Sequence, residues 1–206
     1  MATDNCRKIG IMGGTFDPIH NGHLLIAQSA AEEFSLNEVI FLPTGISPHK
    51  NTLQVTSPKL RCQMTKLAIT DNPIFSLSEI EAENTKTNYT YKTLKKIQEV
   101  YKNAHLYFIM GEDSLNDFSG WREPQKICDA ATLLVAVRND GNSDIQMQLK
   151  QVKEQYKADI YLLHAPNFSV SSSDIRKKIQ SGKSVRYMLP SIVEDFIRQN
   201  ALYTNI

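Results

Sequence analysis

The sequence predicts an α/β fold: a doubly wound, mostly parallel sheet with helices on both faces and a small C-terminal helical extension. Three observations carry this. Short apolar runs such as Val39–Leu42 and Thr132–Val137 alternate along the chain with longer runs of helical periodicity, the order that winds parallel strands around crossover helices. The apolar runs are continuous rather than alternating, as strands buried on both faces require. The 206 residues suit one such domain, taken as 1–206 with its C-terminal helical part from about 166 to 206.

Ile9–Met12 reads as the first strand and Gly22–Phe34 as the first helix. Val39–Leu42 is the second strand, stopped by Pro43, and a loop rich in turn formers runs from Thr44 to Thr56. Ser57-Pro58 joins an N-cap residue to a proline at the first helical position, where its missing N–H does no harm. The helix it opens carries Leu60, Met64, Leu67 and Ala68 on one face and ends before Asn72-Pro73. Phe75–Ser78 alternates as a strand does, and a helix follows from about Tyr89 to Tyr101. His105–Met110 is a buried strand closed by Gly111, with a helix expected around Trp121–Cys128. Thr132–Val137 is the next strand, Asn139-Asp140-Gly141 a turn, and Ser143–Tyr156 a helix. Ile160–Leu163 is the last strand, and Ser172–Gln180 and Pro190–Asn200 are closing helices.

Composition narrows the partners. Net charge is +1, from 23 basic and 22 acidic residues, so no basic field is available for nucleic acid and a small-molecule ligand is expected. Arg176-Lys177-Lys178 reads as a solvated helix face. No apolar run approaches the ~18 residues of a membrane span, and Met1–Cys6 lacks the apolar core of a signal peptide. No membrane partner and a cytoplasmic location are therefore expected. Cys6, Cys62 and Cys128 have no C-x-x-C spacing and fit reduced thiols. Neither the G-x-G-x-x-G dinucleotide fingerprint nor the P-loop pattern is present.

The most informative stretch is Gly13-Gly14-Thr15-Phe16-Asp17-Pro18-Ile19-His20-Asn21-Gly22-His23, between the first strand and the first helix. Glycines there let backbone approach a ligand. A helix start offers free N–H groups and the positive end of a dipole to a phosphate. His20 and His23, three residues apart, face the same place, which suggests chemistry on that phosphate rather than binding alone. The plainer readings are a tight turn, a buried imidazole, or a metal pair. No HExxH pattern or Cys/His cluster surrounds the histidines, so no metal site is expected.

A second constellation, Ser169-Val170-Ser171-Ser172-Ser173-Asp174-Ile175-Arg176, follows the last strand. Hydroxyls at a helix start can donate to phosphate oxygens, and Arg176, about one turn on, can grip a phosphate bidentately. An ordinary N-cap with a solvent-facing Arg is the alternative. Both motifs fall at strand-to-helix turns on the same side of the sheet.

These two stretches resemble the H-x-G-H and I-S-S-T-x-x-R signatures of the nucleotidyltransferase superfamily, with Val170 for Ile and Ser173 for Thr. Within it the chain looks most like the bacterial nicotinate-nucleotide adenylyltransferases. Phe41-Leu42-Pro43 with Pro48-His49-Lys50, Asn88-Tyr89-Thr90-Tyr91-Lys92-Thr93, Gly111-Glu112-Asp113-Ser114-Leu115 with Trp121, and Tyr187-Met188-Leu189-Pro190 running to Tyr203 carry that match. Departures are the spacing Phe118-Ser119-Gly120 before Trp121, and Arg138-Asn139-Asp140-Gly141 where the family reads R-P-G.

The resemblance implies a Rossmann-like fold and transfer of the adenylyl group of ATP to nicotinate mononucleotide, with Mg²⁺ carried by ATP. It implies His20, His23 and Arg176 as catalytic residues. ATP would be bound by Gly13, Gly14, Thr15, Phe16, Gly111, Asp113, Ser171, Ser172 and Ser173 together with those three. Nicotinate mononucleotide would meet Thr15, Lys50, Tyr89, Thr90 and Trp121. The only tryptophan offers a planar ring an aromatic platform; Asp113 can bind a ribose hydroxyl or cap the following helix. Rival readings are a phosphopantetheine adenylyltransferase, an enzyme preferring nicotinamide mononucleotide, and a non-catalytic nucleotide sensor. Monomer and homodimer both stay open.

Overall fold

The structure, a computed structural model, describes residues 6–45, 55–84, 87–137, 143–166 and 168–204. In chain order the elements are β1 (Lys8–Gly14), α1 (Asn21–Phe34), β2 (Glu38–Pro43), α2 (Pro58–Ile69), β3 (Phe75–Leu77), α3 (Thr90–Val100), β4 (His105–Gly111), α4 (Glu112–Asn116), α5 (Pro124–Ala130), β5 (Thr132–Ala136), α6 (Ser143–Tyr156), β6 (Ile160–Leu163), α7 (Ser172–Gln180) and α8 (Ser191–Gln199). The strands form one sheet in the order β3-β2-β1-β4-β5-β6. Every pairing is parallel, not merely most of them.

Two apolar cores lie on the two faces of this sheet. Because side chains alternate along a strand, Met12, Val39, Phe41 and Ile109 face α1, α2, α7 and α8, whose Ala27, Met64, Ile175 and Val193 complete one core. Ile11, Ile40, Leu42 and Phe108 face the other way, toward Leu94, Leu115, Ile127 and Leu149 of α3 to α6. This two-sided burial is why the strand sequences read as unbroken apolar runs. The C-terminal helices are not a loose appendage, since Leu189, Ile197 and Tyr203 share the α1–α2 core.

One expected element differs. Trp121 does not sit on a helix. It ends a 3-10 turn, Phe118–Gly120, and the helix begins only at Pro124. Pro124 is the physical reason: proline is suited to the first turn of a helix and opposes the α conformation in the residue before it. Glu123 lies in the left-handed region at φ 57°, outside the right-handed helical conformation.

The strand order reverses between β1 and β4, where the chain leaves β1 toward one face and β4 toward the other. In an open parallel sheet such a point leaves a crevice beyond the strand ends, and ligands bind there.

Candidate active site

A cavity of about 610 Å³ occupies that crevice, floored by Gly13, Gly14 and Gly111 at the ends of β1 and β4. His20 and His23 stand on one wall, Tyr89, Thr90 and Trp121 on another, and Thr15 and Asp113 also line it. Ten of the sequence-predicted site residues thus converge from three strand-to-helix junctions. Lys50 lies outside the described residues.

The histidine pair is built by the head of α1. His20 is its N-cap, in extended conformation at φ −147°. Its backbone N–H donates to Nδ1 of His23 at 3.2 Å, and the two rings stack at 3.7 Å, 22° apart. With Nδ1 accepting, a neutral His23 carries its proton on Nε2, which becomes the ring's donor. The edge contact with Phe16, at 5.0 Å and 88°, braces the same ring. Phe16 is 2% exposed, so its side chain supports the site from below and does not line it. The brace also explains Gly14: a Cβ there would come within 2.7 Å of the Phe16 ring. At Gly13 the nearest atom to a Cβ would be an ordinary 3.8 Å away, so packing does not require that glycine.

The second motif meets the first, as expected, but by a different route. Ser171 caps α7, its Oγ accepting the Asp174 N–H at 3.1 Å. Ser172 donates its hydroxyl to the Pro18 carbonyl at 2.9 Å, and Arg176 donates Nη1–H to the Asp17 carbonyl at 2.6 Å. Ser171, Ser172, Ser173 and Arg176 do not line the cavity; Phe168 and Val170 reach it from this segment. The Asp17 and Pro18 carbonyls lie in a buried stretch of the first loop, where water cannot satisfy them, and so compete for these donors. Arg176 commits one of its five N–H donors in this way.

Beneath the loop, Asp17 is 3% exposed. Its carboxylate accepts the Tyr203 hydroxyl at 2.7 Å and the Thr56 N–H at 3.2 Å. Burial, reinforced by the Asp17 charge, holds the Tyr203 phenol well above its ordinary range. It stays a hydrogen-bond donor at any physiological pH.

On the opposite wall Tyr89 is the N-cap of α3 and Thr90 its first residue, so the Thr90 N–H is among those with no partner inside the helix. Trp121 is held by Phe118 at 5.6 Å and Phe108 at 6.1 Å. Sequence reasoning gave no site role to three residues here, although Thr93 closes the quoted Asn88–Thr93 segment. Arg122 lines the cavity with its guanidinium 5.4 Å from the centre of the Tyr89 ring. Thr93 and Glu81 also line it, Thr93 donating its hydroxyl to Glu81 at 2.6 Å, while Asn88 donates to the Glu81 carbonyl at 3.0 Å. The polar composition of 81–88 signalled only a loop.

Burial pushes the Glu81 carboxyl above its ordinary range, against the opposing hydrogen bond from Thr93. The native state then keeps a proton that the unfolded chain has lost, so stability falls as pH rises through that window. Glu81→Gln keeps an acceptor for Thr93 and cannot ionise. Its melting temperature is expected to exceed the parent's near neutral pH. The gap should close as pH falls through the ordinary carboxyl range, read by scanning fluorimetry across pH.

Chemically, the cleft offers an aromatic wall, a free helix start, a pair of imidazoles at a second helix start and an open glycine floor. This suits a nucleotide with its phosphates at α1. Among the described residues no group of three or more His, Cys, Asp or Glu is placed to hold a metal ion. No helix there is long and apolar enough to cross a membrane.

Residues 11–178 match the family model described as cytidylyltransferase-like. A protein of Desulfitobacterium hafniense (strain Y51), described as a probable nicotinate-nucleotide adenylyltransferase, is 40% identical over 199 residues, covering 96% of each chain. A protein of Dictyoglomus thermophilum with the same description is 39% identical, over 95% of this chain and 99% of that one. In fold, the chain is similar to Plasmodium falciparum nicotinic acid mononucleotide adenylyltransferase complexed with NaAD, with a TM-score of 0.77, 22% identity, and coverage of 96% and 97%.

Proposed function

This chain belongs to the nicotinate-nucleotide adenylyltransferase family, within the cytidylyltransferase-like group, and from that premise we propose that it transfers the adenylyl group of ATP to nicotinate mononucleotide. The products are nicotinate adenine dinucleotide and pyrophosphate, a step of NAD biosynthesis. The observation that carries this reading is the stacked His20–His23 pair at the head of α1, facing across one cleft to Trp121 and the α3 start.

The 5′-phosphate of nicotinate mononucleotide attacks the α-phosphorus of ATP in line, and pyrophosphate leaves. That phosphate is already anionic near neutral pH, so no general base is needed, and catalysis consists of positioning and charge stabilisation. His23 Nε2–H and His20 donate to the α- and β-phosphates as charge builds on them. Gly13, Gly14 and Thr15 form the floor beneath the phosphates, and Gly111 and Asp113 take the adenosine side. The remaining N–H donors of Arg176, with the α7 start at Ser171–Ser173, hold the β- and γ-phosphates. Trp121 stacks on the pyridine ring, and Tyr89 with the Thr90 N–H receives its carboxylate. Lys50 is assigned to the acceptor phosphate.

Nucleotidyltransferases use a divalent metal, and we assign it to Mg²⁺ arriving on the triphosphate. The exposed Asp113 and Asp117 at the cleft are single acidic groups, a donor set suited to Mg²⁺ that keeps waters and phosphate oxygens. When bound, it neutralises phosphate charge.

The test is pyrophosphate release from Mg·ATP with nicotinate mononucleotide, nicotinamide mononucleotide or phosphopantetheine as acceptor. Strong preference for the first is expected. Preference for the amide would remove the carboxylate assignment of Tyr89 and Thr90. Activity with phosphopantetheine alone would keep the phosphate chemistry and discard the ring pocket. Release with none would favour a nucleotide sensor.

A further inference from the structure

Arg61, on α2, is 1% exposed and among the largest fully buried side chains of the protein. It donates Nη1–H to the Thr15 carbonyl at 2.6 Å, Nη2–H to the Thr44 carbonyl at 2.6 Å and Nε–H to the Thr56 carbonyl at 2.9 Å. These carbonyls belong to three separate segments: the phosphate loop after β1, the chain leaving β2, and the chain entering α2. No carboxylate of the described residues is within salt-bridge distance of it; the nearby Asp17 charge acts through space against the desolvation that lowers the Arg61 pKa. Burying a guanidinium is expensive, and an apolar residue of similar volume is often equally stable or more so. What Arg61 uniquely supplies is a planar fork that reaches three acceptors at once.

The position of those acceptors gives the fork a use. An anion site needs backbone N–H groups toward the ligand and carbonyl lone pairs away from it. In the first loop the carbonyls of Thr15, Asp17 and Pro18 are taken by Arg61, Arg176 and Ser172 respectively. None of these three donors lines the cavity, whereas Thr15 does. The Thr15 carbonyl is therefore held off the cleft by a side chain behind it, and those of Asp17 and Pro18 are held toward α7.

We propose that Arg61 is a positioning residue for the adenylyl transfer: it touches no substrate and sets the orientation of the phosphate loop through Thr15 while tying that loop to Thr44 and Thr56. The inference rests on the proposed function. Misplacement of catalytic groups by about 1 Å can cost on the order of 10²-fold in rate, so the effect falls on kcat.

The experiment compares the full chain with Arg61→Met, which removes the fork and the charge, and Arg61→Lys, which keeps the charge. Turnover is normalised to folded protein, and backbone amide exchange is followed over residues 13–20. Both variants are expected to lose about tenfold or more in kcat, with KM for ATP within about threefold of the parent. Exchange at 13–20 should quicken while β4 and β5 stay protected. A kcat loss smaller than about tenfold in a folded variant, whatever its melting temperature, overturns the proposal. Should Arg61→Met not fold, Arg61→Lys carries the same criterion. A parent chain that releases no pyrophosphate overturns the proposed function instead. In that case the exchange measurement decides the positioning alone, and unchanged exchange at 13–20 overturns it.

Discussion

His23→Ala is expected to lower turnover by ~10²-fold or more while the apparent KM for ATP moves by less than about threefold. The split follows from where the ring's donor lies. His23 Nδ1 is occupied by the His20 N–H, so the single remaining donor is directed from a braced ring. A fixed donor in a partly water-excluded cleft acts most strongly on charge that develops during the reaction. On the proposed reading, ground-state binding of ATP is spread over the glycine floor, the α1 start and the second motif, and loses little when one ring goes. His23 is only half-buried, so its removal leaves the core intact and unfolding is not an adequate explanation of a lost rate. His20, 6% exposed, would be the poorer probe for that reason. A kcat equal to the parent's sinks the role given to His23. A raised KM at unchanged kcat would instead make it a uniform binding contact.

Much of this was legible in the sequence, for identifiable reasons. Parallel strands covered on both faces leave unbroken apolar runs, so β1, β2, β4, β5 and β6 were each found close to their bounds. The first loop was readable because glycines, a proline and two histidines at helical spacing form a local signal. Other parts had no local signal. The five residues of α4 span too little chain for a helical period to show. Arg61 looks in sequence like Lys59 or Lys66 beside it on the same amphipathic helix. What separates them is that Thr15 and Thr44, remote in the chain, end beside it in the fold. The second motif stands at the start of α7, and its hydroxyls and guanidinium are expected on phosphate. In the structure Ser172 and Arg176 hold the Asp17–Pro18 backbone. Hydrogen bonds made by side chains across 154 and 159 residues cannot be anticipated from spacing.

Trp121→Ala should lower kcat/KM for nicotinate mononucleotide by roughly 10- to 100-fold, with KM for ATP unchanged, since stacking a heterocycle on an aromatic side chain contributes ~1–3 kcal/mol. Geometry supports this reading beside the packing of Trp121 on the core. The ring has Phe108 and Phe118 behind it, both nearly inaccessible, and it borders the cavity itself. It is half-buried and ends a turn, so truncation opens the cleft wall more than it hollows the core. Trp121→Phe, which retains a smaller face, should fall between the two. The comparison that matters is between acceptors. Loss of stacking weakens the acid and amide mononucleotides alike, because the rings share a face, so the preference between them should persist in Trp121→Ala. On the proposed reading that preference belongs to the α3 start on the same wall, where the Thr90 N–H, Tyr89 and the adjacent Arg122 offer donors and positive charge to a carboxylate. Steady-state kinetics with both acceptors would show it. A collapsed preference would place the carboxylate against Trp121 instead, and an ATP KM raised as much as the acceptor's would show that the tryptophan supports the whole cleft rather than one ring.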